Sequence, residues 1–174
     1  FNVGCHVMSP DAYVHAIDTA IGVLERLPFE LRLSDSGGGY AKPYPGFAAP
    51  PLSDYFAAII KAARFSLLDN GELLAEPGRA LAAPGLSAVV EVLLRKDDKL
   101  YINDGMYGVF WELRYDAHDR YPARAWRAAE PLQGETRPFQ LLGPTCDSDD
   151  KLPGLVEFPA DIAVGDYIEF GSIG

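Results

Sequence analysis

A chain of 174 residues, 48% hydrophobic and 23% charged, has the composition of a globular protein with one ordinary domain or two small ones. Its formal charge of −10 argues against nucleic-acid binding, which needs Lys/Arg stripes, and no apolar run approaches the ~20 residues of a membrane helix. Two cysteines, Cys5 and Cys146, far apart and in no metal-like spacing, suit reduced thiols in a cytoplasmic protein rather than a disulfide framework.

In chain order, the first half alternates strand and helix signals. Phe1–Gly4 has the makeup of the end of a buried strand. Ser9-Pro10-Asp11 supplies an N-cap, a proline at the first position and an acid in the first turn. Ala12, Ala16, Ile17, Ala20, Ile21, Leu24 and Leu27 follow at helical spacing. Leu31–Leu33 is a short strand candidate that runs into the loop Ser34–Gly39. A second helix is predicted across Ser53–Leu67, with Phe56, Ile59, Ile60 and Ala63 on one face, and Asn70-Gly71 stops it. Glu72–Ala75 is another short strand, leading into Glu76-Pro77-Gly78-Arg79. Glycines after alternating strands mark a parallel α/β arrangement. Roughly three βα units are too few to close an eight-stranded barrel.

From about Leu86 the pattern changes. Ala88–Leu94, Leu100–Asn103, Val109–Tyr115, Phe139–Leu142 and Tyr167–Phe170 are runs rich in β-branched and aromatic residues, separated by Gly, Pro and Asp. They predict an all-β second domain, with Arg120–Pro138 as a long loop. Both ends read as cuts through structured segments, since the chain starts on apolar Phe1 and stops just after an apparent strand. A piece of a longer protein is expected.

Gly37–Gly39 lets backbone amides approach an anion, although flexible loops use such triplets as often. Glu76-Pro77-Gly78-Arg79 follows a strand at the mouth where α/β scaffolds bind ligands. There Arg79 can hold a phosphate and Glu76 a protonated ring nitrogen; a surface salt bridge at a turn is the equal alternative. In isolation Asp116 reads as a turn residue, Cys146 as a small buried apolar group, and Asn103-Asp104-Gly105 as a tight turn. The stretch Gly143-Pro-Thr-Cys-Asp-Ser-Asp-Asp150 surrounds Cys146 with carboxylates, which disfavour a thiolate and so a nucleophile.

In this order, Phe-Asn-Val-Gly, Gly-Gly-Gly-Tyr, Glu-Pro-Gly-Arg, Asn-Asp-Gly-Met-Tyr-Gly, Tyr-Asp, Gly-Pro-Thr-Cys-Asp-Ser-Asp-Asp and Gly-Asp-Tyr-Ile-Glu-Phe resemble the pyridoxal-phosphate-dependent ornithine/diaminopimelate/arginine decarboxylases. The ornithine-specific members look most similar. The resemblance spans the chain and implies the last part of a (β/α)8 TIM-type barrel over residues 1–85. A truncated C-terminal β domain, a β-sandwich or barrel, follows over residues 86–174. It further implies a cytoplasmic carboxy-lyase that uses pyridoxal 5'-phosphate to convert L-ornithine to putrescine, as a head-to-tail homodimer with shared active sites. Members acting on lysine, arginine-derived or diaminopimelate substrates are the alternative within the class. A non-catalytic homologue that competes for a regulator is the alternative outside it.

Residue by residue, Cys5, Gly39, Glu76, Pro77, Gly78 and Arg79 match cofactor-binding positions, Cys5 where many members have a serine on the phosphate. Tyr115, Asp116 and Asp147 match substrate-binding positions. Cys146 matches the residue that protonates the substrate carbon after decarboxylation, and with Asp147 it is expected to reach the partner subunit's site. Asp149 and Asp150 read as ordinary surface charge. Two departures stand out. Asn2 fills the position of a histidine that stacks on the cofactor ring, and His6 lies past the strand end. None of Lys42, Lys61, Lys96, Lys99 or Lys151 sits in the context of the family's cofactor-bearing lysine, which the resemblance places before Phe1. A phosphate-contacting tyrosine is expected after Gly174, and the chain alone is expected to be inactive.

Overall fold

The computed structural model describes residues 1–28, 31–63, 71–114 and 121–174. The chain divides into two units, Phe1–Ala82 and Ala83–Gly174.

In the first unit, α1 runs from Asp11 to Leu24, and the Ser9 hydroxyl accepts a bond from the Asp11 amide at 3.3 Å. It buries Tyr13 and Ile17, one helical turn apart. α2 (Leu52–Ala63) carries Asp54 in its first turn and Lys61 in its last, matching the helix dipole. Its buried face is Tyr55, Ile59 and Ala63. The predicted face included Phe56 and Ile60, yet Ile60 is exposed, because the aromatic at Tyr55 takes the inward position. The predicted continuation to Leu67 lies outside the described residues. The helices pack around a core that includes Tyr40 and Ala41.

The strands differ from expectation by a few residues. β1 is Leu33–Asp35, not Leu31–Leu33, so Ser34 and Asp35 belong to it. It pairs in parallel with β2 (Glu72–Leu74), giving the expected βαβ order. Phe1–Gly4 forms no strand; only Val7 makes a parallel bridge, to Tyr40. Leu33, Leu73 and Leu74 are exposed. A short helix, α3 (Gly78–Ala82), closes the unit.

The second unit is a seven-stranded mixed sheet. Its strands are β3 (Ser87–Lys96), β4 (Lys99–Ile102), β5 (Ala123–Arg127), β6 (Glu130–Pro131), β7 (Thr136–Leu142), β8 (Val156–Pro159) and β9 (Tyr167–Gly171). The order is β6-β5-β9-β3-β4-β7-β8, antiparallel throughout except for parallel β4–β7. β5 contacts β8 across the sheet, which is therefore curled around its core. That core holds Leu100, Ile102, Phe110, Phe139, Phe158 and Ile168 among its largest members.

Two expectations fail here for identifiable reasons. The predicted strand Val109–Tyr115 is a turn followed by a 3-10 segment, Trp111–Arg114, with Tyr115 outside the described residues. Asp104 Oδ1 accepts from the Gly105 and Val109 amides and winds the chain into that turn. The predicted long loop Arg120–Pro138 contains β5, β6 and the start of β7. β5 escapes a hydropathy reading because polar pairs hold it: Trp126 Nε1 donates to Glu169 at 3.2 Å, and Arg127 binds Asp166. β8, with proline at its end, is likewise absent from the predicted strands.

Candidate active site

In the first unit, three segments meet where β1 and β2 end. The Val7 amide donates to Gly39 O at 2.8 Å, and the Glu76 amide donates to Gly37 O at 2.8 Å. Tyr13 Oη donates to Gly38 O at 2.8 Å and Tyr55 Oη to Val7 O at 2.6 Å. Beneath them Tyr13 stacks on Tyr40 with centroids 4.8 Å apart, and Tyr55 meets Tyr40 edge-on. Burial pushes all three phenols up, so they stay protonated donors.

The glycine triplet is packed rather than loose. Gly37 and Gly39 have φ of 70° and 89°, and a Cβ on them would lie 2.2 Å from Phe1 O and 2.0 Å from Gly4 O. On Gly38 it would lie 2.9 Å from Glu76 O. Glycine is needed because the chain passes this close on both sides. Next to it, Glu76 and Gly78 are exposed and Pro77 and Arg79 half-buried, and a Cβ on Gly78 would meet open space. Cys5 is exposed. Asn2 Oδ1 accepts from the Gly4 amide at 3.1 Å, so this side chain shapes its own loop.

In the second unit, Cys146 is exposed, correcting its reading as a buried apolar group. Its neighbour Asp147 accepts a short bond from the Tyr107 hydroxyl, and a 2.9 Å bond from the Asp149 amide. Arg114 lies over the Tyr107 ring, 4.2 Å from its centroid. The Tyr107 hydroxyl, then the Asp149 amide, hold the Asp147 carboxyl below its ordinary range, with Arg114 adding to the effect. The same contact pushes the Tyr107 phenol up.

Asp150 is 2% exposed, correcting its reading as surface charge. Its Oδ1 accepts from the Met106 amide at 2.8 Å, and its Oδ2 from the Thr145 amide and hydroxyl at 3.0 and 2.7 Å. A Cβ on Gly105 or Gly143 would come within 2.2 Å of that carboxylate. One buried acid therefore ties the Cys146 loop to the loop that carries Tyr107. Sequence reasoning missed Tyr107 and Arg114 as neighbours of Asp147; only Tyr107, inside Asn-Asp-Gly-Met-Tyr-Gly, lay in a motif already singled out. Tyr115 and Asp116 lie outside the described residues.

A family model for the C-terminal sheet domain of pyridoxal-dependent decarboxylases matches residues 84–174. This chain belongs to the pyridoxal-dependent decarboxylases. Ornithine decarboxylase of Schizosaccharomyces pombe is 30% identical over all of this chain and 42% of its own. Antizyme inhibitor 2 of Xenopus laevis is equally similar, 30% over 100% and 42%. Among solved structures, the lysine/ornithine decarboxylase of Vibrio vulnificus bound to cadaverine superposes with a TM-score of 0.81 at 32% identity, covering all of this chain and 48% of that one. The chain thus spans less than half the length of these decarboxylase relatives.

The cofactor of a pyridoxal-dependent decarboxylase is a phosphate ester on a pyridine ring. It needs a cation and unobstructed backbone near the phosphate, and a carboxylate for the ring nitrogen. Arg79, the open face at Gly78 and the exposed Glu76 offer these three features on one short segment, so the first unit fits the group. Cys146 and Asp147 lie in the matched sheet domain, outside that segment.

Proposed function

We propose that the complete protein decarboxylates a basic amino acid, L-ornithine foremost, yielding putrescine, with pyridoxal 5'-phosphate bound by Phe1–Ala82. This unit is then the last part of a (β/α)8 barrel. The exposed leucines of β1 and β2 support that reading, since parallel strands are normally covered on both faces. Residues 86–174 are then the C-terminal β domain.

When bound, the cofactor supplies the electron sink for the pair left behind by CO2. Arg79 and Gly39 hold its phosphate, with Pro77 and Gly78 shaping the segment and Cys5 touching it. Glu76 keeps the ring nitrogen protonated. Tyr115, Asp116 and Asp147 bind the substrate, the two carboxylates facing its distal ammonium. Cys146 donates its Sγ proton to the carbon that lost CO2. Cys146 and Asp147 do so in the partner subunit of a homodimer, in the cytoplasm, where both free thiols stay reduced.

The observation that carries this reading is the Cys146 loop. It presents an exposed thiol beside a carboxylate kept ionised by its own neighbours, on a loop locked by a buried acid. An aspartate after the cysteine favours a diamino acid with an ammonium end over diaminopimelate, whose decarboxylases usually carry glutamate there. A second reading, a non-catalytic regulator-binding homologue, is favoured by Asn2, whose Oδ1 is occupied by the Gly4 amide. Retention of Glu76, Arg79, Asp116, Cys146 and Asp147 together weighs against it.

The test is labelled CO2 release by the complete protein from ornithine, lysine, arginine and diaminopimelate, with the cofactor absorbance recorded. Ornithine is expected to give the highest kcat/KM. Absorbance and CO2 both missing with every substrate leave the regulator reading.

A further inference from the structure

At one end of the curled sheet two arginines point toward the core. Arg95 on β3 pairs with buried Leu100, and Arg137 on β7 pairs with buried Phe158; paired residues share a face. Both guanidinium groups lie against the fully buried Phe139 ring, with Cζ 5.2 and 4.7 Å from its centroid. Arg95 Nη1 donates to the carbonyls of Ala160, at 2.9 Å, and Ile162. Arg137 Nη2 donates to Asp97 O at 2.6 Å.

Those bonds leave the charge unanswered. Among the described residues neither arginine is ion-paired with a carboxylate, and Arg137 Nε is buried without an acceptor. Two half-buried cations and an orphaned N–H are costly arrangements unless an anion completes them. Asp97 and Asp98 do line the cleft, but both are exposed at the tip of the β3–β4 hairpin, and neither carboxylate pairs with the arginines; Asp97 offers Arg137 only its backbone carbonyl. The cleft, open to solvent and lined on its other side by Ala163 and Val164, has a volume of about 780 Å³, within the range of small-molecule sites.

We propose that this mouth binds the oxyanion group, phosphate or carboxylate, of a small molecule. The planar donor forks of Arg95 and Arg137 suit an acceptor with at least two oxygens. Phe139 holds both forks in place, and the carboxylates at the rim select against bulky polyanions. None of the cleft's residues has a role in cofactor binding or catalysis, so the site stands independently of the decarboxylase activity.

Calorimetric titration of the complete, cofactor-loaded protein tests it, because the loaded form has its own phosphate position filled. Inorganic phosphate and acetate are titrated separately at ionic strength held constant with chloride. Saturable binding of phosphate assigns a phosphate ligand, and saturable binding of acetate alone a carboxylate. Arg95→Gln and Arg137→Gln are each expected to weaken that binding at least tenfold. Arg137→Lys, which keeps the charge but loses the fork and Nε, should weaken it comparably. Val164→Trp removes no hydrogen bond, because a valine side chain makes none, and its large ring on this exposed wall of the cleft should block entry. Absence of saturable heat with both anions overturns the proposal. So does binding that survives Val164→Trp or the double glutamine variant unchanged.

Discussion

Asp150 shows how much one residue decides. Burial opposes its charge, but the Thr145 hydroxyl and amide and the Met106 amide outweigh burial and the nearby Asp147, so its pKa falls below the ordinary value. A depressed carboxyl contributes stability that is present above its unfolded pKa, near 3.8, and lost as pH falls through the folded value. Asp150→Asn sets a donor against the Thr145 amide and should destabilise the complete protein by about 2 kcal/mol at pH 7. The difference from wild type should shrink in acid. Thermal unfolding across pH checks this; a gap that widens below pH 4 contradicts it. Nothing local in Asp-Ser-Asp-Asp separates Asp150 from Asp149. The separation comes from Thr145, whose amide and hydroxyl reach Asp150 only once the loop is folded, and from Met106, brought over by β4 and the turn after it, which no short window contains.

At the scale of elements, helices were the more legible because their signals are local. Apolar spacing located both, and the error in the α2 face reflects a choice between adjacent aromatics, Tyr55 and Phe56, that only packing resolves. Strands with an apolar inward face, β3, β4, β7 and β9, were also found. β5 was missed because it is held by partners distant in sequence. Its Arg127 donates from Nε and Nη2 to both oxygens of buried Asp166 at 2.8 Å, and Asp166 Oδ2 also accepts from the Ala163 amide at 2.7 Å. Asp166→Ala leaves that amide and one side of the guanidinium without their acceptor, and should cost about 2 kcal/mol, the exposed Arg127 side limiting the loss. Denaturation of the complete protein measures it, and a loss that 1 M salt reproduces in wild type contradicts a buried contact. In the loops, Gly39→Ala meets both an unfavourable φ and the Gly4 carbonyl, so the segment must shift. Cofactor affinity of the complete protein should fall about tenfold, equivalent to about 1.4 kcal/mol. Titration of the apoprotein reads it, and unchanged affinity would separate this loop from the cofactor.

For the whole molecule, the change from α/β to β at the middle of the chain was legible because hydrophobic period and turn composition change together. Curling of the sheet, and the arginine-lined mouth at one end of it, were not, since both depend on contacts between strands distant in sequence, β4 with β7 and β5 with β8. The family is shown by the second unit, yet the chemistry proposed for the whole draws on the thiol at Cys146. Product analysis of Cys146→Ala in the complete protein tests that assignment most directly. Without the Sγ proton, carbon protonation should be misdirected, so that aldehyde replaces a large share of the amine while cofactor binding persists. An amine-to-aldehyde ratio and rate equal to wild type would contradict it.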